Sequence, residues 1–240
     1  MEIQFSQSPF LNIPRRKLDD ALEDILETQS NNGILNAGGA ALTTAFTRYY
    51  DANIPVDYWW RDMHDFIGPS ILKKQYTDIT SNIKESFKSG KKACFAGSHG
   101  VGKSYTCACI LKRVVEKQYS ALYVNLVDII HVMLNSPSDI KCQAKENLLN
   151  VDFLVIDEFD TRFMGSENAA DLFGRILEPV MRTRIQNRMP LLFCTNSIKV
   201  EGSFSGPLQA SIESLMKMVS FVPIIGGQDA RQMIKNGDLI

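Results

Sequence analysis

From residue 92 onward, short runs of almost continuous apolar residues alternate with longer stretches in which apolar positions recur every three or four residues. The runs 92–96, 121–126, 153–156, 191–194 and 220–225 have the length of buried strands. The stretches 105–117, 127–134, 144–149, 166–186 and 208–218 have helical period. Strands that are apolar on both faces and joined by helices predict an α/β fold, a three-layer sandwich around a five-stranded parallel sheet. Ligands of such sheets lie at the carboxyl ends of the strands.

Upstream the pattern is less regular. Residues 1–13 lack a period and read as a loose arm. Pro14 opens a helix with the apolar stripe Leu18, Leu22, Ile25 and Leu26, and Asn31-Asn32-Gly33 stops it. A second helix, 40–50, places Leu42, Ala45, Phe46 and Tyr49 on one face. Residues 1–50 therefore form a small helical region, with packing on the 51–240 core and docking of a partner both open as roles. The segment from Ala52 to Trp60, followed by Met63, Phe66 and Ile67, is dense in aromatics. Only Arg61 interleaves a positive charge there, which favours packing over stacking on nucleic-acid bases. Residues 70–89 read as one helix with Ile71, Leu72, Ile79, Ile83 and Phe87 inward, closed by Gly90.

Composition changes this picture little. A 240-residue chain with 45% hydrophobic and 22% charged residues is an ordinary soluble globular protein. The net charge of −1 neither supports nor excludes a nucleic-acid partner. The five cysteines are scattered, Cys107-Ala108-Cys109 has the wrong spacing for a zinc site, and they read as small buried hydrophobes in a reducing compartment. No run approaches a membrane span, and the N-terminus lacks a basic region followed by an apolar one, so the expected location is cytoplasmic.

The chemistry sits at the strand ends. Gly97-Ser98-His99-Gly100-Val101-Gly102-Lys103-Ser104 is a Gly, four residues, then Gly-Lys-Ser, preceded by a strand and followed by a helix that begins with Tyr105. Backbone N–H groups at a positive helix end hold polyphosphate, Lys103 reaches the outer phosphates, and the Ser104 hydroxyl takes a position on Mg²⁺. The run 153–156 ends in Asp157-Glu158, about fifty residues on, a Walker B pattern. Asp157 is expected to hold the Mg²⁺ water shell and Glu158 to orient or deprotonate the attacking water. The run 191–194 ends in Thr195-Asn196. Asn196 alone reads as turn chemistry, and in company with the other two elements as a polar sensor of the γ-phosphate or lytic water.

These elements and their order resemble AAA+ ATPases, and more narrowly the DnaC/IstB group of helicase loaders and transposition ATPases, over residues 50–232. The segment Asn53-Ile54-Pro55 before the aromatics, Leu122-Tyr123-Val124 leading to Asp128, and the ending Gly226-Gly227-Gln228-Asp229-Ala230-Arg231 are similar to features of that group. The resemblance implies a P-loop NTPase core without the C-terminal lid of larger AAA+ proteins, since only fifteen residues follow Ile225. It implies an ATP hydrolase that delivers or remodels a DnaB-like replicative helicase on single-stranded DNA, as a homo-oligomer in the ATP state whose neighbour completes each site. The region 210–216 lacks the arginines the family often carries before its last strand. Arg184 matches an arginine common in the helix before the Leu191–Asn196 strand and stands as the candidate trans-acting arginine, with Arg182 and Arg188 nearby. Two other roles fit the same residues: an IstB-like accessory ATPase of transposition, and a nucleotide-switched binding module with little hydrolysis.

Overall fold

The computed structural model describes residues 8–11, 13–31, 37–159, 173–196, 214–215 and 217–224. Residues 1–7 of the expected arm, the 166–172 and 208–213 parts of two expected helices, residue 225 and the 226–231 ending lie outside them. Helices α1 (Arg15–Asn31), α2 (Ala37–Asp51), α3 (Ser70–Thr80) and α4 (Ile83–Ser89) precede strand β1 (Lys92–Gly97). The chain continues through α5 (Lys103–Glu116), β2 (Ala121–Asn125), α6 (Leu126–Asn135), α7 (Ser138–Asn150) and β3 (Phe153–Asp157). After a π turn, Phe173–Leu177, follow α8 (Glu178–Gln186), β4 (Leu191–Thr195) and β5 (Ser220–Ile224).

The five strands form one sheet in the order β2-β3-β4-β1-β5, and every pair is parallel, as the apolar runs predict. Successive residues of a strand point to opposite faces, and here each face has its own cover. Ala93, Phe95, Tyr123, Phe153, Val155, Leu192 and Cys194 pack with α1 to α5. Cys94, Leu122, Val124, Leu154, Ile156, Leu191 and Phe193 pack with α6 to α8. Because β4 lies between β3 and β1, the ends of these three strands stand side by side.

Several upstream expectations need correction. Residues 8–11 are no loose arm: Phe10 is buried among the residues that cover the α6–α8 face, while Leu18 of α1 is buried on the other. Leu26 and Leu42, expected on inward stripes, are 57% and 43% exposed. Residues 70–89 form two helices rather than one, because Asn82 accepts a hydrogen bond from the Glu85 N–H (3.0 Å) and starts α4. An Asn three residues before a Glu is a helix-start signal that overrides continuing apolar periodicity. Gly90 closes α4 as expected, in the left-handed region at φ 63°. The aromatic segment divides: Trp59 is buried with its indole N–H on the Ile54 carbonyl (2.8 Å), whereas Trp60 is exposed and meets Phe46 edge-on.

Arg184 departs furthest from its expected role. It is 0% exposed, so it is not presented to a neighbouring subunit, and the trans-acting assignment is corrected. Its Nη1 donates to the carbonyls of Leu148 (3.0 Å), Leu149 (3.1 Å) and Val151 (2.8 Å), and its Nη2 to those of Asp152 (3.2 Å) and Pro190 (2.7 Å). These oxygens are the carbonyls at the end of α7, which a helix terminus leaves without intrahelical donors, and those at the entries to β3 and β4, of which Pro190 also accepts from the Leu154 N–H (3.3 Å). Burial lowers the guanidinium's proton affinity, yet an arginine keeps its charge in proteins, and the carbonyls compensate it. We expect Arg184→Met to lower the unfolding free energy by about 3–5 kcal/mol, because the carbonyls lose their donors inside the protein. Arg184→Lys should recover only part, since one ammonium cannot reproduce a planar fork whose two nitrogens donate to five carbonyls. Urea unfolding midpoints read both.

Candidate phosphate-binding site

β1 delivers its buried end, Gly97, into the loop that leads to α5. A side chain at Gly97 is forbidden by β5, since a Cβ there would lie 2.8 Å from the Ile224 carbonyl oxygen. Gly102 caps α5 with φ 97°, a conformation L side chains rarely adopt, and a Cβ on it would lie 2.3 Å from the Phe66 ring. The loop is thus seated against the aromatic segment before the core. Tyr105 extends this seat: its ring lies near those of Tyr58 and Phe66, and its hydroxyl donates to the Asp62 carbonyl (2.6 Å). Ser98 and His99 are exposed at the loop's tip, Gly100 and Ser104 are half-buried, and Val101 is buried beneath.

Lys103 draws the parts together. Its side chain is almost wholly buried, and its ammonium donates to the carbonyls of Gly97 (2.9 Å) and Ser98 (2.7 Å) and to Asn196 Oδ1 (3.0 Å). The loop after β1 and the end of β4 therefore meet at one cation. Asn196, which in isolation reads as a turn residue, is a wall of this site.

β3 supplies the carboxylate. Asp157 is buried; its Oδ1 accepts from the Glu158 N–H (2.8 Å) and its Oδ2 from the Tyr123 hydroxyl. Burial and the Asp157 charge both raise the Tyr123 pKa, so the phenol stays protonated and donates. Glu158 is exposed at φ 51°, a left-handed conformation uncommon for a residue with a side chain. Phe159 N–H returns to the Cys194 carbonyl (2.8 Å), which keeps the segment after Asp157 alongside β4. Behind the site the thiols of Cys107 and Cys194 touch at 3.3 Å, and burial pushes the Cys194 pKa well up.

Two contributors escape sequence reading. Tyr123 sits in an apolar run and reads as core. Lys112 looks like a surface lysine, yet it is buried and its ammonium donates to the carbonyls of Tyr58 (3.0 Å), Trp59 (2.8 Å) and Arg61. Its position between Leu111 and Val114 on the inward face of α5 is the one available signal. It ties the aromatic segment to α5, and burial lowers its pKa. Arg184 does not join the site; it lies at the other end of β4. Arg182, also on α8, is exposed and pairs with Glu178 (2.8 Å).

Chemically, the site is a rim of backbone N–H groups at a helix start, one ammonium, a hydroxyl and a carboxylate. Hard oxygen donors such as Ser104 and Asp157 suit a hydrated Mg²⁺ bound together with phosphates. No helix among the described residues is long and apolar enough to cross a membrane.

No family model matches the sequence. Over 135 residues the chain is 27% identical to the replicative helicase loader DnaI of Bacillus subtilis (strain 168), a match covering 55% of this chain and 42% of that protein. The chain thus spans less than half the length of this relative. Among solved structures, DnaI superposes with a TM-score of 0.59 at 17% identity, covering 73% of this chain and 93% of that one. The DnaC helicase loader superposes with a TM-score of 0.51 at 18% identity, covering 70% and 99%. A replication initiator DnaA bound to AMPPCP and single-stranded DNA gives a TM-score of 0.56 at 15% identity, covering 78% and 57%. The fold is that of the DnaI, DnaC and DnaA structures, and the resemblance to DnaC-type helicase loaders read from the sequence is borne out as a likeness.

Gly102→Ala is expected to lower the unfolding free energy by about 1–3 kcal/mol, from positive φ and the forced movement of Phe66. Thermal denaturation measures this, and the paired variant Phe66→Leu, by making room, should reduce the cost of the alanine.

Proposed function

We propose that this chain is a cytoplasmic Mg-ATP-dependent helicase loader of DNA replication, which delivers or remodels a DnaB-like replicative helicase on single-stranded DNA. The observation that carries the nucleotide part is the Lys103 ammonium, shared between the phosphate-loop carbonyls and Asn196 while Asp157 ends the next strand. Phosphate oxygens displace those weak acceptors, so Lys103 turns from the loop to the outer phosphates of ATP. The N–H groups from Gly97 to Tyr105 cradle the chain of phosphates. Ser104 and Asp157 hold the Mg²⁺, which neutralises charge on the phosphates when bound. Glu158 orients or deprotonates the attacking water, and Asn196 positions the γ-phosphate or that water.

The loading role rests on the similarity to DnaI and DnaC, and single-stranded DNA as a ligand on the likeness to the DnaA complex. We assign residues 1–50 to contact with the helicase and residues 51–240 to the ATPase core. ATP-dependent homo-oligomers, with a neighbour completing each site, are proposed on the resemblance read from the sequence. The burial of Arg184 favours one second reading, a nucleotide-switched binding module with slow hydrolysis, because a trans-acting arginine is worth ~10³ or more in rate in related enzymes.

Lys103→Ala should abolish ATP binding while leaving the circular dichroism spectrum and melting temperature near wild type; native affinity in that variant would remove the loop from the mechanism. Glu158→Gln should hold the chain in its ATP-bound assembly, with turnover reduced about 100-fold or more, the scale of general-base loss. Pull-down of a purified replicative helicase, with and without ATP, tests the loading role. Retention only with ATP supports it, and no retention with either Glu158→Gln or wild type sinks it. Unchanged turnover in Glu158→Gln would strip that residue of its role and leave the switch reading standing.

A further inference from the structure

Tyr123 reaches the metal-binding end of the sheet from a neighbouring strand. In the β2–β3 register it pairs with Val155, two residues before Asp157, so Tyr123 and Asp157 share a face of the sheet. The phenol hydroxyl donates to Asp157 Oδ2, and the Glu158 N–H holds Oδ1. The carboxylate plane is therefore fixed at both corners. An ionised carboxylate has about four lone-pair sites, and two stay available after these bonds.

The tyrosine is itself held on the far side of β2. Its backbone N–H donates to the Ala52 carbonyl (2.9 Å), and its carbonyl accepts from Asn53 Nδ2 (2.9 Å). Asn53 is buried with φ 53°, a left-handed conformation that asparagine tolerates better than most residues. A chain of fixed contacts thus runs from the segment directly after α2, through Tyr123, to Asp157.

We infer that Tyr123 is a positioning residue for Mg²⁺-dependent nucleotide binding: its hydroxyl holds Asp157 in the orientation that receives the metal's water shell, and Asn53 fixes the strand from which it reaches. The inference rests on the nucleotide-binding reading above. Removing a partner that orients a metal-binding group costs metal affinity even though the group itself remains.

The test measures binding of a fluorescent ATP analogue to the full chain across Mg²⁺ concentrations and in EDTA. Tyr123→Phe removes the hydroxyl and keeps the ring. The expected result is a rise of about tenfold in the Mg²⁺ concentration for half-maximal binding, the lower end for such second partners, with affinity in EDTA unchanged. In an Asp157→Asn background the same substitution should add nothing, the mark of two residues acting through one contact. Asn53→Ala should shift the Mg²⁺ requirement in the same direction by less. An unchanged Mg²⁺ requirement in Tyr123→Phe overturns the inference. So does an equal loss with and without Mg²⁺, which would mark the tyrosine as packing alone, and so does an additive effect on Asp157→Asn. Lys103→Ala serves as the separate control: wild-type nucleotide affinity in that variant refutes the underlying nucleotide site, whatever Tyr123→Phe does.

Discussion

A cation buried in a protein must be surrounded by oxygen, because stripping its water otherwise costs several kcal/mol. The sheet is bound at both ends by this requirement. At the amino ends of β3 and β4, Arg184 collects carbonyls from the end of α7 and from both strand entries. At the carboxyl ends of β1 and β4, Lys103 collects carbonyls of the phosphate loop and the amide of Asn196. The two differ in what surrounds them. Arg184 faces only main-chain oxygens, fixed by the end of α7 and the entries to β3 and β4, so its charge is spent on architecture. Lys103 has a side-chain amide among its acceptors and exposed loop residues beside it, so its partners are exchangeable.

Much of this was legible in the chain. Continuous apolar runs separated by helical periods left a covered parallel sheet as the consistent solution, and the residues with chemistry fell at its carboxyl edge. The adjacency of β4 to both β1 and β3 turned Asn196 from a turn residue into a wall of the site. What stayed illegible depends on tertiary contacts. A tyrosine in an apolar run looks like filler until a carboxylate two positions along the neighbouring strand meets its hydroxyl. Arg184 looks like an exposed helix-end cation because composition carries no record of which carbonyls crowd that helix. Phe10 lay in a segment without period, where a single anchoring aromatic leaves no pattern to detect.

The aromatic segment before the core has a similar lesson. The rings of Tyr58 and Phe66 seat the phosphate loop: Phe66 lies against Gly102, Tyr105 against both rings, and Lys112 draws in the carbonyls of Tyr58 and Trp59. Loop geometry and upstream packing are therefore one problem, and the glycine that permits the turn also permits the contact.

The clasp of Ala52 and Asn53 on β2 has a consequence at the level of whole molecules. β2 is an outer strand, and an outer strand ordinarily offers its unpaired N–H and carbonyl groups to any passing chain. At Tyr123 both groups are already engaged, and the left-handed turn at Asn53 carries the covering segment across the strand. At this position the flank of the sheet is closed to strand addition, which guards the chain against growing end to end into fibres.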